Sequence, residues 1–138
     1  MSSKDLHNQV KVTAAIPSTR VADNTAQVSA IIDTAGFESL EFVTNLGAIA
    51  DADATFAVTI EDGDAANLSD AAAVNANFLI GTTAAAGFTF ASDNQTRKLG
   101  YVGHKRYVRY TITPTANTGN ADFGVLALQS NARTQPTT

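Results

Sequence analysis

The chain contains no cysteine and no tryptophan, and only two histidines, three prolines and one methionine. Without cysteine there is no disulfide, no thiolate metal site and no thiol nucleophile. Two histidines, His7 and His104, cannot supply the His-rich metal triad of a small β-fold enzyme such as a cupin. The absence of tryptophan weakens a lectin-like aromatic platform. No apolar run approaches the ~18 residues that cross a membrane. The opening MSSKDLHNQ lacks the apolar core of a signal peptide, so synthesis and retention in the cytosol are expected. Basic charge is missing over a long interval: no Lys or Arg falls between Val21 and Thr96, where eleven acidic residues lie. With a formal charge of −4, the chain is not expected to bind nucleic acid in general, because affinity for phosphates scales with the cations placed on them.

What remains is enough for one core. A chain of 138 residues makes one domain, here expected over 1–138. Hydrophobic residues are 44% of it, but 25 of them are alanine, which contributes at most about 1 kcal/mol per buried methyl. The core must rest on Phe, Leu, Ile, Val and Tyr.

Short alternating segments follow one another in the manner of an all-β sandwich. Val10–Thr13 begins the pattern, and Pro17 is expected to close it. Gln27–Asp33 sets Val28, Ala30 and Ile32 on one face. Leu40, Phe42, Thr44 and Leu46 share a face of the next segment, which Gly47 ends. Phe56, Val58 and Ile60 alternate with Thr55, Ala57, Thr59 and Glu61. Between Ala65 and Ala86 the expectation is a long connection with at most one or two helical turns: propensity alone lets Asn67–Asp70 cap a short helix at Ala71–Val74, and Asn75, Asn77 and Gly81 oppose a long one. Gly87–Ala91, Arg97–Val102, Arg106–Thr113 and Phe123–Gln129 complete about eight strands. Arg97–Val102 and Arg106–Thr113 are expected to form an antiparallel pair turning near Gly103-His104. The fold class is therefore all-β: a single-domain, jelly-roll-like β-sandwich with at most one short helix. An immunoglobulin-like sandwich is the alternative, without its Cys-Trp-Cys core. Phe42, Phe56, Val58, Ile60, Val108, Tyr110 and Ile112 are the expected core, and residues 1–9 and 132–138 are expected to be flexible.

Catalytic chemistry is hard to find. No nucleophile elbow surrounds any serine. Asp51-Ala-Asp53 and Glu61-Asp62-Gly63-Asp64 carry hard oxygens, yet they lack calcium-loop spacing and suit turns equally well. The glycines at 100 and 103 lack the strand-to-helix context of a phosphate cradle and suggest positive φ or a bulge. No cofactor or metal is expected, and no enzyme activity. The one concentrated basic segment holds five of the nine cations, Arg97, Lys98, Lys105, Arg106 and Arg109, with Tyr107 among them. Phosphate, RNA or an acidic protein could meet such a cluster, and solvated charges flanking a hairpin would look the same. Arg and Tyr are enriched at protein contacts, so these six residues are the candidate interface. The acidic stretch is its natural opposite, on a partner or in a sister subunit.

The order GFESLEFVTNLGAI, ATFAVTIEDGDAANLSDA, TRKLGYVGHKRYVRYTITPT and DFGVLALQSNARTQP resembles the small capsid decoration or cement proteins of tailed bacteriophages. These accompany an HK97-like major capsid protein. The resemblance covers roughly residues 26–136, and its most specific piece is the Gly-Tyr turn before the KRYVR strand. It implies a virion structural protein, made in the host cytoplasm, that binds the capsid exterior and stabilises it. It also implies the major capsid protein as partner and a homo-oligomer, dimer or trimer; no membrane partner is expected. Another virion component (tail, connector or head-fibre base) and a carbohydrate- or receptor-binding jelly roll are the alternatives.

Overall fold

The computed structural model describes residues 4–134. Eleven strands follow in chain order: β1 Lys11–Val21, β2 Gln27–Val28, β3 Ile32–Asp33, β4 Phe37–Ile49, β5 Thr55–Gly63, β6 Ala72–Ala73, β7 Leu79–Ile80, β8 Phe88–Thr89, β9 Thr96–Tyr101, β10 Tyr107–Thr115 and β11 Ala121–Ala132. One sheet runs β1-β11-β4-β9-β7; the other runs β2-β10-β5-β6, with β3 also on β10 and β8 also on β5. All recorded pairings are antiparallel.

The pairings are nested. β1 pairs with β11, β2 and β3 with β10, β4 with β9, and β5 with β6 and β8. Outermost strands pair with each other, then the next inward, as in one long hairpin folded over itself into two sheets. Treating β2 with β3 and β6 with β8 as interrupted strands gives nine positions, the eight of a jelly roll and the two-residue edge strand β7, so the architecture is the one expected from the sequence.

The core lies between the sheets. β5 and β10 alternate strictly, burying Phe56, Val58 and Ile60 against Val108, Tyr110 and Ile112. With Phe42, these expected core residues are all at most 5% exposed. From the facing sheet come Leu40, Phe42, Leu46, Leu99, Phe123 and Val125. Phe42 stacks on Tyr110 at 4.8 Å, and Phe56 on Phe88 at 4.7 Å, with Phe123 edge-on to Phe56 at 6.1 Å. Each such side chain contributes roughly 1.5–3 kcal/mol by leaving water.

Four local expectations are corrected. Gly47 does not end its segment, because β4 runs on to Ile49, which pairs with Ala121. Pro17 does not end its strand: β1 continues to Val21, with register shifts on both sides of Ile16. An edge strand tolerates proline there because no neighbour needs its missing N–H. The segment 27–33 is not one strand; Ser29 and Ile32 are buried while Val28 is exposed. Ser29 interrupts it, accepting the Tyr110 amide on Oγ at 2.9 Å, and the Ala30 amide reaches across to the Ala15 carbonyl at 2.9 Å. The helical turn is Thr83–Ala86, capped by Thr82 Oγ1, and not 71–74, because Ala72 and Ala73 extend the sheet on β5 instead. Of the termini expected to be flexible, residues 1–3 and 135–138 lie outside the described residues. Asp5 accepts hydrogen bonds from Asn8, and Ala132 pairs with Phe37.

Candidate docking surface at the sheet-to-sheet crossing

β9 and β10 do not form the expected hairpin. β9 lies between β4 and β7 in one sheet, and β10 lies in the other beside β5. Residues 102–106 therefore carry the chain across the end of the sandwich. Nested pairing dictates this, since β9 belongs with β4 while β10 belongs with β2 and β3.

Tyr101 pins the crossing. The residue is 4% exposed, its hydroxyl donates to Asp62 Oδ2 at 2.6 Å, and the same hydroxyl accepts the Lys105 amide at 3.1 Å. Burial, reinforced by the Asp62 carboxylate, raises the phenol far above its usual range and keeps it protonated. The ring folds back over Gly103, where a Cβ would stand 2.5 Å from the hydroxyl oxygen. Neither Gly100 nor Gly103 has positive φ, so close approach, rather than the expected positive φ, explains Gly103.

At the end of the crossing and the start of β10, the basic side chains meet acidic partners of the same chain. Lys105 Nζ lies 2.9 Å from Asp64. Arg106 grips Asp33 with both Nε and Nη2, at 2.8 and 2.9 Å, while its guanidinium sits 5.0 Å over the Tyr107 ring. Arg109 lies directly across the ladder from Glu61, with Nη2 at 3.1 Å. The Arg106 hydrogen bond holds Asp33 below the usual carboxylate range, and the Asp64 hydrogen bond raises Lys105. The acidic stretch finds part of its opposite charge within its own molecule. Lys105, Arg106 and Tyr107 nonetheless remain at the surface, while Arg109 is held tighter: its side chain is 27% exposed and its Nε is buried.

Arg97 and Lys98 sit elsewhere. Arg97 bonds Ser92 Oγ at 2.9 Å and Gln95 at 3.0 Å. Lys98 stands on the outer face of the other sheet, opposite Val43, and makes no ion pair among the described residues. The six candidate residues thus divide into a group of four at the start of β10 and a separate pair on β9.

The remaining polar groups serve turns. Asp51 accepts the Thr118 amide and hydroxyl at 2.8 and 3.0 Å and the Asp53 amide at 2.8 Å. Asp70 accepts the amides of Asp64 and Ala65. Among the described residues no group of three or more His, Asp or Glu is arranged to hold a metal, and no helix is long and apolar enough to cross a membrane. His104 is exposed and edge-on to Phe78 at 5.2 Å. A groove of about 420 Å³ beside β5 is lined by Thr55, Phe56, Thr83, Phe88 and neighbours, none of them titratable. The Tyr101–Asp62 anchor was missed by sequence reasoning; its available signal was an acid pair and a glycine two residues after a tyrosine.

No family model matches this chain, and no curated protein matches it by sequence. Among solved structures it is similar to a family two carbohydrate esterase from Cellvibrio japonicus, at 9% identity and a TM-score of 0.43, covering 95% of this chain and 33% of the other. It is also similar to a chain in a structure of infectious bursal disease virus, Gx strain, at 14% identity and a TM-score of 0.46, covering 93% of this chain and 33% of the other. The chain spans about a third of the length of each. Its description as a jelly roll rests on its own strand pairing.

Proposed function

We propose that this chain is a virion structural protein that binds the exterior of an assembled phage capsid and stabilises it, acting by contact and not by catalysis. The observation that carries the reading is the rim formed by Lys105, Arg106 and Tyr107. Asp64 and Asp33 pre-order its two cations, and the Arg106 guanidinium is already stacked on Tyr107. Arg and Tyr held in place lose little rotamer freedom on docking, which suits them to anchor a protein contact. The rim sits on a crossing tied to both sheets through Tyr101 and Asp62, so load is passed into the sandwich. The resemblance of residues 26–136 to decoration proteins supports the same partner, the major capsid protein.

Co-sedimentation with capsids stripped of this protein tests the reading. Wild-type chain is expected to pellet with the shells, and the double substitution Arg106→Ala with Tyr107→Ala to remain in the supernatant with an unchanged circular dichroism spectrum. Equal occupancy by both proteins would refute the assignment of the rim, and failure of the wild type to bind would refute the function.

A further inference from the structure

The two outer faces of the sandwich differ in kind. On the β5–β10 face, Thr55, Thr59, Thr111, Thr113 and Thr115 alternate with the core positions, as on a sheet wetted on one side. The β1-β11-β4-β9-β7 face is different. β11 buries Phe123, Val125 and Ala127 inward, yet its outward residues include Leu126 and Leu128. The run Val125-Leu126-Ala127-Leu128 is apolar on both sides, the pattern of a strand covered on both faces.

Register places the outward residues in rows. Val12, Leu128, Glu41, Gly100 and Ile80 form one row, and Ala14, Leu126, Val43 and Lys98 the next. Val12 is 58%, Leu126 40% and Ile80 64% exposed. A groove of about 330 Å³ lies between Leu128, Glu41, Ile80 and Val102, deep enough to take an aliphatic side chain.

We propose that this face is a two-fold interface, occupied by the same face of a second copy of the chain. Area is the first argument. Strands of 11, 12, 13, 6 and 2 residues, rising about 3.3 Å per residue and lying about 4.8 Å apart, project roughly 700 Å², close to the ~800 Å² each partner loses in a standard interface. Charge is the second. Although the chain carries a net charge of −4, this face and its rim hold Glu38, Glu41 and Asp122 against Lys98, Arg20 and Arg133, so two copies meet without net repulsion. Arg20–Asp122 and Arg133–Glu38 are paired within the chain, at 2.7 and 3.7 Å. Glu41 and Lys98 are diagonal neighbours with no ion pair within 4.0 Å among the described residues, and burial raises the Glu41 carboxyl. An isologous contact sets Lys98 of each copy toward Glu41 of the other. An apolar centre inside a paired-charge rim is the anatomy of a protein interface. The capsid reading is not needed for this inference.

Sedimentation equilibrium of the full chain at roughly ten micromolar, a concentration that populates a standard interface, tests it. The wild type is expected at twice its 14.3 kDa mass. Leu126→Lys or Val12→Lys, both at exposed positions, is expected to weaken the dimer at least ten-fold with unchanged circular dichroism. Thr113→Lys on the opposite face is expected to leave it intact. Lys98→Glu is expected to weaken the dimer, and adding Glu41→Lys to restore it. A wild-type mass of one or three copies, or a dimer unaffected by both lysine substitutions, overturns the proposal. A monomer whose Leu126→Lys form loses only its attachment to shells also overturns it, and gives the face to the capsid.

Discussion

Replacing Gly103 by alanine drives a methyl group into Tyr101. The new Cβ would lie 2.5 Å from the phenol oxygen, 2.6 Å from Cζ and 2.7 Å from Cε1, each well inside contact distance. The ring cannot simply swing away, because its hydroxyl is held by Asp62 at 2.6 Å and by the Lys105 amide at 3.1 Å. Either the crossing shifts, at about 1–3 kcal/mol for overpacking, or the hydrogen bond to the Asp62 carboxylate breaks, at about 1.5–3 kcal/mol. A loss of about 1–3 kcal/mol is expected, which for a domain of this size lowers Tm by roughly 3–15 °C. Thermal unfolding followed by circular dichroism measures it. A double-mutant cycle isolates the cause: in a Tyr101→Leu background, which lacks the ring edge and hydroxyl, the same glycine substitution is expected to cost less than about 1 kcal/mol. A Tm within about 1 °C of wild type, or an equal loss in both backgrounds, would refute the account of how the crossing is held.

Phe56→Ala removes the ring stacked on Phe88 and is expected to cost about 3–5 kcal/mol in denaturant unfolding. Arg109→Glu sets a second carboxylate directly across from Glu61 at a side chain only 27% exposed, so it is expected to cost about 1–3 kcal/mol. Arg106→Ala breaks a more exposed pair and is expected to change stability by about 0–1 kcal/mol. Asp33 and Asp122 are held below their ordinary value of 3.8, chiefly by hydrogen bonds from Arg106 and Arg20. A depressed folded-state pKa contributes stability above the unfolded value that is lost as pH falls through the folded one, so Tm is expected to drop below about pH 4. Asp33→Asn with Asp122→Asn is expected to flatten that drop.

Strands that alternate strictly were legible in the chain. Phe56, Val58 and Ile60, and Val108, Tyr110 and Ile112, declare an inside and an outside because one face of their sheet meets water. Where the physics is not local, sequence reasoning failed. Nothing in residues 97–113 shows that five residues cross between sheets and do not turn back, because that choice is made by the pairing of β9 with β4. For the same reason the basic segment is one cluster in sequence and two groups in space. Its counter-charges Asp33, Glu61 and Asp64 come from 41 to 73 residues away. Pro17 misled because edge and central strands are indistinguishable before topology is known. The apolar outward side of β11 was visible as the run 125–128, but it acquires meaning only beside the threonine face of the other sheet.

Cryo-electron microscopy of purified virions tests the central claim most directly. The account predicts density for this jelly roll on the outer surface of the head at regular, symmetry-related positions, with the Lys105–Tyr107 rim turned toward the shell. Absence of the chain from intact virions, or its confinement to the tail or connector, would contradict it.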